Sequence, residues 1–131
     1  MLEKLKFFND QKGQSLVEFA LVVPVFVIIL FGVIEFARMF ETMNVVTSAA
    51  REGVRVAAVT APDGSRVHNA ATSVLNAGGV SGTPSITIGG PGSGNMVTVT
   101  VSVNYTPLTG SIIPGLRSMQ ITRSAVMRWE S

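Results

Sequence analysis

The feature that most constrains this chain is a run of sixteen residues without a charge, Phe19–Ile34 (FALVVPVFVIILFGVI). With Leu16, Val17 and Glu18 the stretch reaches nineteen residues. As a helix it would rise about 28 Å, close to the ~30 Å hydrocarbon core of a bilayer. The run is apolar on all sides, unlike a core helix of a water-soluble domain, which keeps one polar face. Pro24 and Gly32 would weaken a helix in water. Both are tolerated in membrane helices, where neighbouring groups satisfy the freed backbone. The run therefore predicts a membrane-crossing helix over residues 16–34, within a transmembrane segment spanning 14–36.

Lys4, Lys6 and Lys12 precede the run and predict a cytoplasmic N-terminus. Arg38 follows closely, so the charge asymmetry is modest. A removable secretory signal needs an apolar stretch of only about 7–15 residues and a small-residue cleavage site. This run is longer, and Ala37 is followed by Arg38 and Met39, so no A-x-A site adjoins it. A plain signal anchor would account for hydrophobicity and orientation. It would not account for Glu18.

Composition narrows the rest. The 131 residues are one domain's worth. Only 14% are charged, against roughly 25% in soluble domains, and the deficit is concentrated around the apolar run. A net charge of +2 with no basic patch argues against a nucleic-acid surface. With no cysteine, the chain has neither disulfides nor thiolate metal sites.

Glu18 is costly where it stands. A carboxylate in a membrane helix carries an insertion penalty of up to about 2.5–3.5 kcal/mol at the centre and less towards the interface. Such a residue points to a function and a partner. Five positions earlier is Gly13, and Gly13-Gln14-Ser15-Leu16-Val17-Glu18 runs directly into the apolar helix. This G-x-x-x-x-E step resembles the processing site of type IV prepilins. The resemblance implies a prepilin peptidase that cuts after Gly13 on the cytoplasmic side. Residues 1–13 would be the leader, Gln14 the new N-terminus and Glu18 the fifth mature residue. The new ammonium at Gln14 could then meet Glu18 of another subunit. Each buried charge would neutralise the other, whereas either alone would be poorly tolerated. On this reading Glu18 specifies registry during assembly.

The likeness extends further. GQSLVEFALVVPVFVIILFGVIEFARMF, followed by NVVTSAAREGVRVAAV, resembles the TadE-like family of tight-adherence (Tad) pilus proteins. The shared elements are Gly13–Pro24, Ile34–Arg38 and Ala49–Ala58, within about residues 13–59. Residues 60–131 carry no motif of comparable specificity. The common short pilin of these systems lacks such an extension, so the resemblance implies a pseudopilin or accessory component. It also implies a single-pass protein of the bacterial cytoplasmic (inner) membrane, with its C-terminal domain outside the cytoplasm. The implied partners are the membrane, a prepilin peptidase, other pilin and pseudopilin subunits, and the pilus assembly platform. No cofactor, nucleic acid or small-molecule substrate is implied.

The helix is expected to continue past the membrane. Between Phe36 and Val59 there is no proline, and Gly53 is the single glycine. The resulting rod would hold about 45 residues and measure roughly 68 Å. Val46, Ala49, Ala50, Gly53, Val54 and Ala57 recur at helical spacing as a small-residue stripe. The stripe could pack on the chain's own sheet, contact neighbouring subunits, or do both on different sides. Glu35 and Arg38 are three apart and can pair, as can Glu52 and Arg55, while Arg51 and Arg55 share a face. The block Arg51, Glu52 and Arg55 reads either as a solvated face or as a docking surface. Pro24, Glu35, Arg38, Arg51, Glu52 and Arg55 are thus candidates for helix packing or docking.

A turn is expected at residues 61–65, then a short helix Arg66–Ala77 with Ser65 as its N-cap and Gly78 and Gly79 as its stop. Val67, Ala70, Ala71, Val74 and Leu75 would form its inner side, and His68 a surface position. The last third reads as β-structure. Ser85–Ile88 is a short strand, and Met96–Tyr105 alternates apolar and polar residues as a half-buried antiparallel strand does. Met119–Trp129 alternates again, with Arg123 interrupting its apolar face as in an edge strand. The expected architecture is α+β and pilin-like. A long N-terminal transmembrane helix continues outside the membrane, with a short second helix and a small antiparallel sheet of about three strands. The expected divisions are a leader at 1–13, the transmembrane helix at 14–36 and an extracytoplasmic domain at 37–131.

Catalytic signatures are missing from the sequence. The glycine-rich loop at 89–95 lacks the Lys-Ser/Thr of a phosphate-binding loop and lies between strands. Ser93 has no following helix to form a nucleophile elbow. Asp63 and Glu130 are the only acids after Glu52, too few for a paired-carboxylate site. The sequence therefore argues against an enzyme. A membrane-tethered binding module with an uncleaved signal anchor is the alternative, and a hydrolase using Ser93 a weaker third.

Overall fold

The computed structural model describes residues 11–60, 64–81, 83–90, 94–111, 115 and 118–130. Most of the expected leader, including Lys4 and Lys6, lies outside the described residues, as do positions 61–63 of the expected turn, Ser93 in the glycine loop, and Pro114. The chain divides into two compact units, Met1–Ile34 and Glu35–Ser131. Helix α1, Gln11–Val59, contributes to both.

In the first unit α1 is apolar all round over residues 19–34. Its most apolar 18-residue window has a mean hydropathy of 2.8, and none of it is buried in the protein. Leu16, Phe19, Leu21 and Ile28 are all exposed, and Pro24 sits inside the helix without ending it.

The second unit is an α+β fold. The later part of α1 and helix α2 (Gly64–Ala77) accompany a three-stranded antiparallel sheet in the order β1-β2-β3. The strands are β1 (Ser85–Gly89), β2 (Met96–Tyr105) and β3 (Met119–Arg128), and a 3-10 turn, Leu108–Ser111, follows β2. Alternation along β2 sends Val97, Val99, Val101, Val103 and Tyr105 into the core. The opposite face is polar, with hydroxyl pairs joining β2 to β3: Thr100 to Ser124 at 2.8 Å and Ser102 to Thr122 at 2.9 Å. Such cross-strand pairs help hold register, here Val99 opposite Ala125 and Val103 opposite Ile121.

The small-residue stripe of α1 is consumed by this core. Val46, Ala49, Ala50, Val54 and Ala57 are all buried, with Val67, Ala71 and Leu75 of α2 and the valines of β2. Gly53 shows why the stripe is small. A Cβ there would lie 3.0 Å from Val99 Cγ1 and 3.6 Å from both Ala71 Cβ and Val67 Cγ1. Gly53 is therefore where α1, β2 and α2 converge.

Several boundaries differ from expectation. α2 starts at Gly64, so Ser65 lies inside its first turn instead of capping it, and Val67 is one turn in when it reaches the core. Ala70 and Val74 are only half-buried, because they flank the inward line Val67, Ala71 and Leu75. The stop is as expected: Val80 N–H donates to Leu75 O at 3.0 Å, Gly79 N–H donates to Asn76 O, and Gly79 has φ 70°. That left-handed glycine closes the helix end. β1 runs on to Gly89. β3 ends at Arg128, one residue before Trp129, although the Trp129 N–H still donates to its in-register neighbour, Asn95 O, at 2.6 Å. β3 is an edge strand, as Arg123 suggests, and on its inner face Ile121 is buried while Met119 and Met127 are exposed.

Candidate functional site

The residues singled out by sequence fall into three places. The first is the start of α1. Gly13 and Gln14 are exposed there on one turn, and Glu18 on the next. The Gln14 side-chain amide donates to Glu18 Oε1 at 3.3 Å, one turn away. A Cβ at Gly13 would meet nothing within 4 Å, so no packing within this chain requires glycine there. Pro24 is exposed six residues beyond Glu18.

The second place is Glu35, and here the expected local pairing is corrected. Glu35 does not pair with Arg38; among the described residues the only ion pair is Arg55–Glu52. Instead the Glu35 carboxylate accepts a hydrogen bond from the Tyr105 hydroxyl at Oε1, and one from the Leu108 backbone N–H at Oε2, 3.0 Å away. Glu35 opens the inward line of α1 that continues through Met39 and Met43 to Val46 and Ala50. It stands where another apolar residue would pack, and the two donors satisfy it. Arg38 is exposed and forms no ion pair with it. Tyr105 ends the inner face of β2, and burial pushes its phenol above the ordinary value, with the Glu35 hydrogen bond and charge adding to the rise. Sequence reasoning missed Tyr105 and Leu108. A usable signal was present, because a lone tyrosine at the buried end of an alternating strand needs a partner for its hydroxyl.

The third place is the Arg51, Glu52 and Arg55 face. Arg55 donates two hydrogen bonds to Glu52, from Nε at 2.9 Å and Nη2 at 2.6 Å. That contact holds the Glu52 carboxyl below its ordinary range and raises the Arg55 guanidinium. Arg51 is exposed and outside the pair. The three residues line one wall of an open groove of about 670 Å³, with Ser124, Ala125, Val126 and Met127 of β3 on the other. Its chemistry is that of a contact surface: one ion pair, one further cation and an apolar strip from the uncovered edge of β3.

Residues 13–55 match the family model for TadE-like proteins. The match covers about a third of the chain, and every site residue expected from the sequence falls inside it. Tyr105 and Leu108 lie beyond it. No curated protein and no solved structure matches the chain.

Proposed function

We propose that this chain is a TadE-like pseudopilin, a minor subunit of a tight-adherence pilus acting in pilus assembly or adhesion. One coincidence supports the reading above the others. The TadE-like match begins at Gly13, the glycine of the G-x-x-x-x-E step, and runs through the exposed apolar part of α1 into the α+β unit. In this proposal the chain is inserted with its N-terminus in the cytoplasm and cut after Gly13 by a prepilin peptidase. Glu18 then receives the new amine of Gln14 from a neighbouring subunit. The Gln14–Glu18 contact at 3.3 Å supports a carboxylate reachable from that turn. The Arg51, Glu52 and Arg55 face is a docking surface for another pilus component.

Mass spectrometry of the mature N-terminus tests the reading. Co-expressed with an active prepilin peptidase, the chain is expected to begin at Gln14, and Gly13→Leu to remain full length. Glu18→Ala is expected to be cut but not incorporated. A wild-type chain still intact beside an active peptidase would favour the tethered binding module with an uncleaved anchor.

A further inference from the structure

We propose that the Glu35 end of the α+β unit is a lipid-contacting collar. Phe36 and Phe40 of α1, Leu108 of the 3-10 turn and Met119 of β3 enter the interfacial layer of the bilayer that α1 crosses. The proposal rests on reading the apolar part of α1 as membrane-crossing, and adds a second, non-spanning attachment.

Placement carries the argument. Glu35 directly follows Ile34, the last residue of the uncharged run, so it stands at the edge of the hydrocarbon when that run fills a core of ~30 Å. The Glu35 carboxylate ties down two distant parts of the fold, the Tyr105 hydroxyl and the Leu108 backbone N–H. Leu108 is therefore held at that depth, and its side chain is 58% exposed. Met119 is directly opposite Tyr105 in the sheet, on the same face, and is 44% exposed. Phe36 and Phe40, 65% and 57% exposed, share a helix face one turn apart. From Glu35 to Phe40 the helix rises about 7.5 Å, comparable to an interfacial layer of about 5–8 Å. Arg38, exposed half a turn round the helix from the two phenylalanines and between them in height, supplies a cation at headgroup level, where anionic lipid attracts it.

Exposure alone would not single out this end, since Val59 and Met96 are also exposed apolar residues. They belong to the opposite end. Glu130 N–H donates to Ala58 O, and Trp129 N–H to Asn95 O beside Met96. Along β2 that end lies about 30 Å from Tyr105. Four apolar side chains facing water at the hydrocarbon edge would be an unexplained cost. Against lipid they add buried area to the anchor, and they fix the sheet's base at the surface.

The absence of cysteine allows a direct test. The full chain is reconstituted in phosphatidylcholine–phosphatidylglycerol vesicles with one nitroxide-labelled cysteine at a time. The variants are Phe26→Cys in the apolar run, Leu108→Cys and Met119→Cys in the collar, and Met96→Cys at the far end. Relaxation by oxygen, which concentrates in lipid, is compared with relaxation by a water-soluble nickel chelate. The oxygen-to-nickel ratio is expected to be several-fold higher at 108 and 119 than at 96, and highest at 26. A ratio at either 108 or 119 equal to that at 96, with 26 lipid-like, overturns the collar while leaving the membrane helix intact. A water-like ratio at 26 overturns the membrane reading and the collar with it.

Discussion

The two parts of α1 are both apolar, and they are apolar in different ways. Over residues 16–34 the side chains are large (Leu16, Phe19, Ile28, Phe31) and exposed in every direction. Over residues 46–58 the inward side chains are small (Val46, Ala49, Ala50, Gly53, Ala57) and buried. Acyl chains conform to whatever shape they meet, so a lipid-facing helix can be wide. A valine sheet does not conform, so the helix packed on it must be narrow along one line. Hydrophobicity alone does not distinguish the two; side-chain size and its periodicity do.

Charge insertion should break the two parts in different ways, with the largest effects. Ala50→Asp buries an uncompensated carboxylate in the core and is expected to cost about 3–5 kcal/mol. Set against a typical total of ~5–15 kcal/mol, this should appear as loss of cooperative melting, with membrane association retained. Ile28→Asp is expected to cost about 2.5–3.5 kcal/mol of insertion free energy. It should release the chain to alkaline extraction while the melting of the α+β unit is unchanged. If Ile28→Asp instead unfolded that unit and left extraction unchanged, the distinction would collapse.

Glycine replacement sharpens the comparison at a smaller scale. Gly53→Val drives a branched side chain towards Val99 Cγ1, which already lies 3.0 Å from a Cβ at that position. Overpacking of this kind is expected to lower stability by about 1–3 kcal/mol. Gly32→Val has open space, with nothing within 4 Å of its Cβ, and thermal denaturation should not distinguish it from wild type.

The smallest effect concerns the polar contact that opens the buried line. Tyr105 is the only tyrosine, so phenolate absorbance titrates it alone. Its midpoint is expected above the ordinary value of about 10, because burial, together with Glu35, raises it. Glu35→Gln should move the midpoint back towards that value. A phenol whose folded value is raised contributes stability that is present below its unfolded value and lost as pH rises through the folded one. Wild type should therefore lose more stability than Tyr105→Phe over that alkaline window.

Much of the fold was legible because periodicity is a local property. The alternation at residues 96–105 gave β2 its bounds, since inward valines and outward hydroxyls leave only one register that buries an apolar face. Arg123 marked β3 as an edge, because a charge on an apolar face is accommodated only where the sheet ends. The start of α2 was less legible, because Ser65 is acceptable both as a cap and in a first turn. At the candidate site, the Glu52–Arg55 pair was readable from spacing, whereas the partners of Glu35 lie 70 and 73 residues away.

Two copies of one local pattern, Glu-x-x-Arg, separate what each level determined. By itself the sequence determined that Glu35 could reach Arg38 and Glu52 could reach Arg55, because a helix places residues three apart on one face. It also determined the uncharged run and the narrow stripe, which depend only on residue type and helical repeat. Only the tertiary structure decided between the two pairs. Glu52 closes on Arg55 at 2.6 Å, one turn along the helix and beside an open groove. Glu35 turns away from Arg38 because the end of β2 brings a buried hydroxyl, and the turn after it a free backbone N–H, to the same carboxylate. Left without that acceptor, both donors would forfeit hydrogen bonds they had in water.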